Sequence, residues 1–317
     1  MNSCTSRIVT VCTVALSTFV YACVLSEDTS TDEQANTNLN SPNLNGSSMN
    51  GSSMNGMSLL AFQFDGATHG GEPLTNLRVE NGELKAEKDA VPLAGTGLQG
   101  AVLQGMARDI TVSSELTTAT FEITNVVQES ASYDPTGSTY LYTIVMQGTG
   151  GWSCQAIPVA AEWDETGNRT DDSSRFTLAC TTGVIAKCYR WGYRPWIADS
   201  GTQLMEDMHW TCTRLARADW CGDGVPHTTD GTLINVWDNL PTQIQTYGTP
   251  PGGLEFDSGW NTSGATCLSS NRWGVSGSTV ESLCPAKLGT GAGRITCNSE
   301  GSAPGGSTMF KEMDIVP

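Results

Sequence analysis

The sequence predicts an α+β fold: mostly short antiparallel strands, with two helices in a disulfide-rich C-terminal domain. Three observations carry that reading. Glycine contributes 35 residues of 317 while charged side chains make up only 15%, the composition of a turn-rich chain rather than a helical bundle. Short runs rich in Val, Ile, Thr, Tyr and Phe fill residues 58–150, separated by Gly, Asp, Pro and Asn. Beyond residue 150 lie all nine tryptophans and eight of the eleven cysteines, between Trp152 and Cys297.

The elements follow in chain order. Residues 1–22 read as a signal peptide: Arg7 is the lone early charge, and Ile8 to Ala22 is an apolar run too short for a bilayer span of about 20 residues. Ala22-Cys23 after that run is similar to the lipobox of bacterial lipoproteins, which implies Cys23 as the lipidated first residue of the mature chain. Residues 23–57 then read as a lipidated Cys and a low-complexity tether of Ser, Thr, Asn and Asp. Within the tether, Leu44, Met49, Met54 and Leu59 fall at a period of five, and Leu93, Leu98 and Leu103 repeat it. That spacing also fits a short pentapeptide-type solenoid, with one apolar residue per side of the coil.

In residues 58–150 the expected strands are Leu59–Phe64, Leu77–Glu80, Ile110–Ser113, Thr118–Val126 and Thr139–Met146, with a turn at Asp134-Pro135-Thr136-Gly137. Residues 151–297 form the disulfide-rich domain, and 298–317 a tail. The first helix is expected to be capped by Thr181 or Thr182, to run through Val184, Ile185, Cys188 and Tyr189, and to end at Gly192. The second starts near Ser200, with Leu204, Met208, Cys212 and Leu215 on one apolar stripe.

Export makes the cysteines countable as bridges. Cys4 and Cys12 leave with the signal and Cys23 takes lipid. Cys154, Cys180, Cys188, Cys212, Cys221, Cys267, Cys284 and Cys297 remain as disulfide candidates. Eight cysteines allow on the order of a hundred pairings, and sequence does not choose among them. A helix rising about 1.5 Å per residue sets Cys212 and Cys221 too far apart to pair, and Cys188–Cys212 would join the two helices. Zinc is the competing reading of so many cysteines, but no C-x-x-C occurs.

Several long words occur in order: Ser174 to Cys180, Gly183 to Cys188, Trp191 to Trp196, and Cys212 to Gly224. The chain resembles the ADYC domain family of exported bacterial proteins, named for an Ala-Asp-Tyr-Cys signature. Here the signature stretch is Ala218, Asp219, Trp220, Cys221, Gly222, Asp223 and Gly224, with Trp in place of Tyr. The resemblance implies location and fold rather than a reaction, and any role of a phenol hydroxyl is absent.

The charge of −17 excludes a nucleic-acid partner, which needs clustered Lys and Arg. No G-x-S-x-G, H-E-x-x-H, P-loop or EF-hand loop is present, and no cofactor is expected. Gly95 to Gly100 matches G-x-G-x-x-G without the strand and helix that give the motif meaning. The one suggestive constellation is His209, Asp219, Asp223, His227 and Asp230. As a hydrolase it would use His209 or His227 as general base with Asp219 or Asp223. As a calcium site it would gather Asp219, Asp223 and Asp230. The plain reading makes Asp223-Gly224 and Asp230-Gly231 turns, pairs Asp219 with Arg217 or Arg214, and sets His209 on a half-exposed helix flank. The expectation is therefore an exported, lipid-anchored envelope protein with a binding or structural role, the alternative being a secreted hydrolase. Its partners would be the membrane, through the lipid, and a glycan or envelope protein; dense tryptophans can stack sugars, although in a disulfide-rich domain they more often pack the core.

Overall fold

The computed structural model describes residues 48–49, 59–109, 116–131, 133–147, 153–164, 166–171, 175–196, 202–228, 231–248, 253–313 and 315. Cys23, Asp230 and the expected strand at 110–113 lie outside them, as does most of the tether.

Six long strands form the first layer: β2 (Leu59–His69), β7 (Ala101–Asp109), β8 (Leu116–Gln128), β9 (Tyr140–Met146), β10 (Ser153–Val159) and β13 (Arg175–Cys180). Each pairs antiparallel with the next, and β13 also pairs back onto β2 through Arg175–Gln63 and Phe176–Phe62. The sheet therefore closes into a barrel, which removes its edges. Alternation along each strand divides the side chains between two cores. Tyr142, Ile144, Ala156 and Leu178 fill the barrel with Leu103, Phe121 and Ile123. Leu141, Ile157, Val159 and Ala179 point the other way, into the second core. The strands β3 (Glu72–Pro73), β4 (Thr75–Glu80), β5 (Glu83–Lys88) and β6 (Val91–Ala94) lie between β2 and β7 in sequence. The turn at Asp134 is present: Gly137 N donates to Asp134 O, and the Asp134 carboxylate accepts from Thr136 and Thr139 N–H.

The second core lies under α1 (Val184–Arg190) and α2 (Thr202–Arg217) and against a five-stranded sheet. That sheet runs β1 (Ser48–Met49), β14 (Leu233–Asp238), β17 (Met309–Met313), β15 (Glu255–Asn261) and β16 (Gly264–Leu268), all antiparallel. In sequence, the short antiparallel pair β11 (Glu162–Trp163) and β12 (Arg169–Thr170) lies between the barrel strands β10 and β13. The chain is thus sheet-rich α+β, mostly antiparallel, as the sequence predicts.

Several expectations are corrected. Two further helices occur among the described residues, α3 (Ser270–Leu283) and α4 (Pro285–Leu288). In α3 the buried positions are Arg272, Trp273, Gly277 and Val280, so the inward face carries too few large apolar residues to be read as a stripe. Gly277 lets the Arg294 guanidinium lie close against the helix: a Cβ there would stand 3.0 Å from it and push it aside. The cap of α1 is Gly183, with no side-chain bond, rather than Thr181 or Thr182. The second period-five run is not a coil: Leu93 lies in β6, Leu98 in a 3-10 turn over Gly95–Leu98, and Leu103 in β7. The residues expected as a tail after 297 supply β17, the middle strand of the five-stranded sheet, and the expected boundary at 150 falls between two paired barrel strands, β9 and β10.

All eight cysteine candidates pair. Cys154–Cys180 joins β10 to β13, and Cys188–Cys212 joins α1 to α2. Cys221–Cys284 joins the segment after α2 to the end of α3, and Cys267–Cys297 ties β16 to the chain before β17. Bridges of this number belong to an oxidising compartment. No described helix is long and apolar enough to cross a membrane.

Candidate functional site at the signature loop

The signature begins where α2 stops. Ala218 has φ +52°, Ala218 N donates to Leu215 O and Asp219 N donates to Arg214 O. These are the paired closing bonds of a left-handed helix C-terminus, a place that usually holds glycine. Alanine is held there because its methyl is buried, 2% exposed, in the second core.

The reversal swings Asp219 under the loop it starts. Its Oδ1 accepts from Gly222 N (2.9 Å) and Asp223 N (3.1 Å), and its Oδ2 from Gly224 N (3.0 Å) and from Arg214 Nη1. Both side chains are shut away from solvent, at 0% for Asp219 and 1% for Arg214. Arg214 spends its remaining donors on three neighbours: Thr262 O (3.3 Å), Thr166 O (2.6 Å) and Asn168 Oδ1 (2.8 Å). One buried ion pair thus ties the helix end, the signature loop, the 164–168 turn and the β15–β16 hairpin. Arg217 adds a bond from its guanidinium to Gly224 O.

Two glycines let the loop and hairpin meet at backbone distance. A Cβ on Gly222 (φ +74°) would lie 1.9 Å from Ser263 O, and one on Gly264 (φ +111°) would lie 2.8 Å from Asp219 O, Trp220 O and Gly222 N. Ala265 N donates to Trp220 O across the junction. Trp220 is buried and stacks on His227, with centroids 4.8 Å apart and planes 8° apart, while the Arg272 guanidinium lies 5.9 Å from its ring. Arg272 in turn pairs with Asp257, as does Lys311, all three being buried. Burial alone would raise the Asp257 pKa; Lys311 and Arg272 outweigh it and hold it below the usual carboxylate range.

The sequence constellation is only partly assembled. Asp219, Asp223 and His227 share the loop. Asp223 is exposed and turns its Oδ1 to Val225 N. The His227 pKa is lowered by burial, against the opposing pull of Asp223 and Asp219. His209 is elsewhere, wholly enclosed rather than half-exposed: it hydrogen-bonds Ile185 O through Nε2 (3.0 Å) and lies against Tyr189 and Trp163. The reason is that α2 is covered on both flanks, by α1 on one side and strands on the other. Neither histidine has a hydrogen bond to an aspartate among the described residues. Asp219, with both oxygens engaged, is no free base and no free calcium ligand. No cluster of three or more metal-ligating side chains occurs among the described residues. A shallow cleft of about 280 Å³ opens near Asn239, Glu300, Ser307 and Phe310, and none of the sequence candidates lines it.

Burial and, secondarily, the nearby Arg169 charge bring the His209 pKa down to about 3. The linkage sign is fixed by that depression. Below pH 6.5, the ordinary histidine value, the unfolded chain takes a proton that the native chain refuses, so stability falls as pH drops from 6.5 toward 3. The slope is roughly 1.4 kcal/mol per pH unit, so at pH 5 about 2 kcal/mol is lost to this residue. Urea titrations at pH 7 and pH 5 check this: His209→Gln should flatten the dependence by that amount, and an unchanged difference between wild type and variant would contradict it.

Fold and loop together define a disulfide-stapled, sheet-rich α+β module whose signature residues form a buried structural junction. The ADYC domain model matches residues 95–274, more than half of the chain, and the chain belongs to that family. The match omits β2, needed for barrel closure, and β17, the middle of the second sheet. No curated protein and no solved structure matches the chain.

Proposed function

We propose that this is an exported envelope protein, anchored by lipid on Cys23, whose ADYC domain serves as a binding or structural module. The single observation that carries the reading is the division of the cysteines. Cys154 and all seven that follow it pair among themselves, which leaves Cys4, Cys12 and Cys23, all within the apolar leader or at its end. The domain is built to persist outside the cytoplasm, and its signature residues are spent on cohesion. Of the eight described tryptophans six are buried and Trp196 and Trp210 are half-buried, so little ring face is offered to a glycan, and an envelope protein is the partner class we carry. The hydrolase alternative draws no support from two histidines that lack an aspartate partner.

Cys23→Ser tests the anchor. Wild type should fractionate with membranes and incorporate radiolabelled palmitate, and globomycin should block its maturation. The variant should stay unlabelled; a variant processed and released like wild type would defeat the lipoprotein reading.

A further inference from the structure

Barrel closure leaves the five-stranded sheet as the larger sheet with edges among the described residues. One edge is β14, and most of it is covered by the chain that follows it. Asp238 N donates to Gln245 O (3.1 Å), and the Asn235 carboxamide donates to Gly248 O (3.3 Å). Alternate residues of an antiparallel strand turn their backbone groups to the same edge, so Ile234 faces as Asp238 does. What covers Leu233 and Ile234 comes from the opposite end of the sequence: β1 pairs antiparallel, Ser48 opposite Ile234 and Met49 opposite Leu233. Those two residues close the pentapeptide Asn45-Gly46-Ser47-Ser48-Met49, and Asn50-Gly51-Ser52-Ser53-Met54 repeats it residue for residue.

We propose that the Leu233–Ile234 edge is a strand-docking site for an extended Asn-Gly-Ser-Ser-Met segment, filled by the protein's own tether, with both copies competent to fill it. Recognition is by backbone hydrogen bonds, which any extended segment can make, with side chains of alternate residues adding selectivity. A slip of one residue would exchange the faces of Ser and Met. A slip of five presents an identical occupant, so the repeat gives the edge a second register, one that places the docked Met five residues rather than ten before Leu59 of β2. Moving from the first to the second lengthens the chain between residue 23 and the dock by five residues, about 17 Å when extended. The repeat is thus a two-notch strap for the reach of the domain. Its small, polar, glycine-containing unit suits a segment that must release and re-seat. The inference stands whether or not Cys23 carries lipid.

Hydrogen exchange on the mature chain tests it, read at the amide of Ile234, with those of Ala156 and Ile157 in the barrel wall as a folding control. Proline cannot donate to a strand ladder. Ser48→Pro alone should leave the edge protected, because the second copy takes over. Ser48→Pro with Ser53→Pro should speed exchange at the edge by about tenfold without changing the control. A synthetic Asn-Gly-Ser-Ser-Met-Asn-Gly-Ser-Ser-Met peptide added to the double variant should restore protection. Unchanged exchange in the double variant, or no rescue by the peptide, overturns the docking site. A single variant as fast as the double overturns the equivalence of the two copies.

Discussion

Asp219→Ala should lower the unfolding free energy by about 3–5 kcal/mol, the cost of stranding one partner of a buried ion pair. The prediction rests on how much converges on this carboxylate. It accepts three backbone N–H groups and Arg214, and both partners are closed to solvent. Removal leaves Arg214 as a buried charge and takes the carboxylate acceptor from Asp223 N and Gly224 N, with Gly222 N keeping only the 219 main-chain carbonyl, while Arg214 still holds Thr166, Asn168 and Thr262. Trp220→Tyr is the informative contrast. It restores the family's usual residue, keeps a ring to stack on His227, and removes an indole N–H that has no hydrogen-bond partner among the described residues. It should cost under about 1.5 kcal/mol, in the range of a tolerated shape change. Urea midpoints of the two variants, measured side by side, check both. If Asp219→Ala stayed within experimental error of wild type, the signature would not be the structural junction derived above.

Cys221→Ser with Cys284→Ser should cost about 4 kcal/mol, the largest effect among the four bridges. Loop-closure entropy grows with the logarithm of the loop, and this bridge spans 63 residues against 24 to 30 for the others. It also fastens the signature loop to the end of α3. Losing it lets the loop lift from the hairpin at Gly222 and Gly264, where backbone lies against backbone. The thermal midpoint of the paired variant should fall further than that of Cys154→Ser with Cys180→Ser, whose cysteines sit on strands already paired by main-chain bonds. Equal falls would mean that loop length is not what decides. The same logic predicts that reductant lowers the midpoint of the wild type.

What the sequence made legible was local. Alternation in Thr118-Ala119-Thr120-Phe121-Glu122-Ile123 marks β8, and the stripe of Met208, Cys212 and Leu215 marks α2, because each signal is repeated within a few residues. The set of bridging cysteines was legible from compartment and count. Barrel closure was not, since Phe176 meets Phe62 by a pairing that no short-range pattern encodes. The α3 helix was hidden by Gly274, Gly277 and its serines, although Ser269 caps it by accepting from Arg272 N and offered the one local signal. At the site, proximity in sequence offers Arg217 or Arg214 as the partner of Asp219, and only the fold selects Arg214. The burial of His209 was not, because a stripe tells which side of a helix packs but not how far the packing wraps around it. The triad of Asp257, Arg272 and Lys311 escaped for a similar reason: its members come from β15, α3 and β17, and each alone reads as a surface charge.

The most direct test of the central claim is a non-reducing peptide map of the protein recovered from the membrane fraction. It should yield four linked pairs, Cys154 with Cys180, Cys188 with Cys212, Cys221 with Cys284 and Cys267 with Cys297, and an acylated N-terminal peptide beginning at Cys23. Free thiols at these eight positions, or a mature chain that retains Cys4 and Cys12, would contradict an exported, lipid-anchored, disulfide-stapled domain.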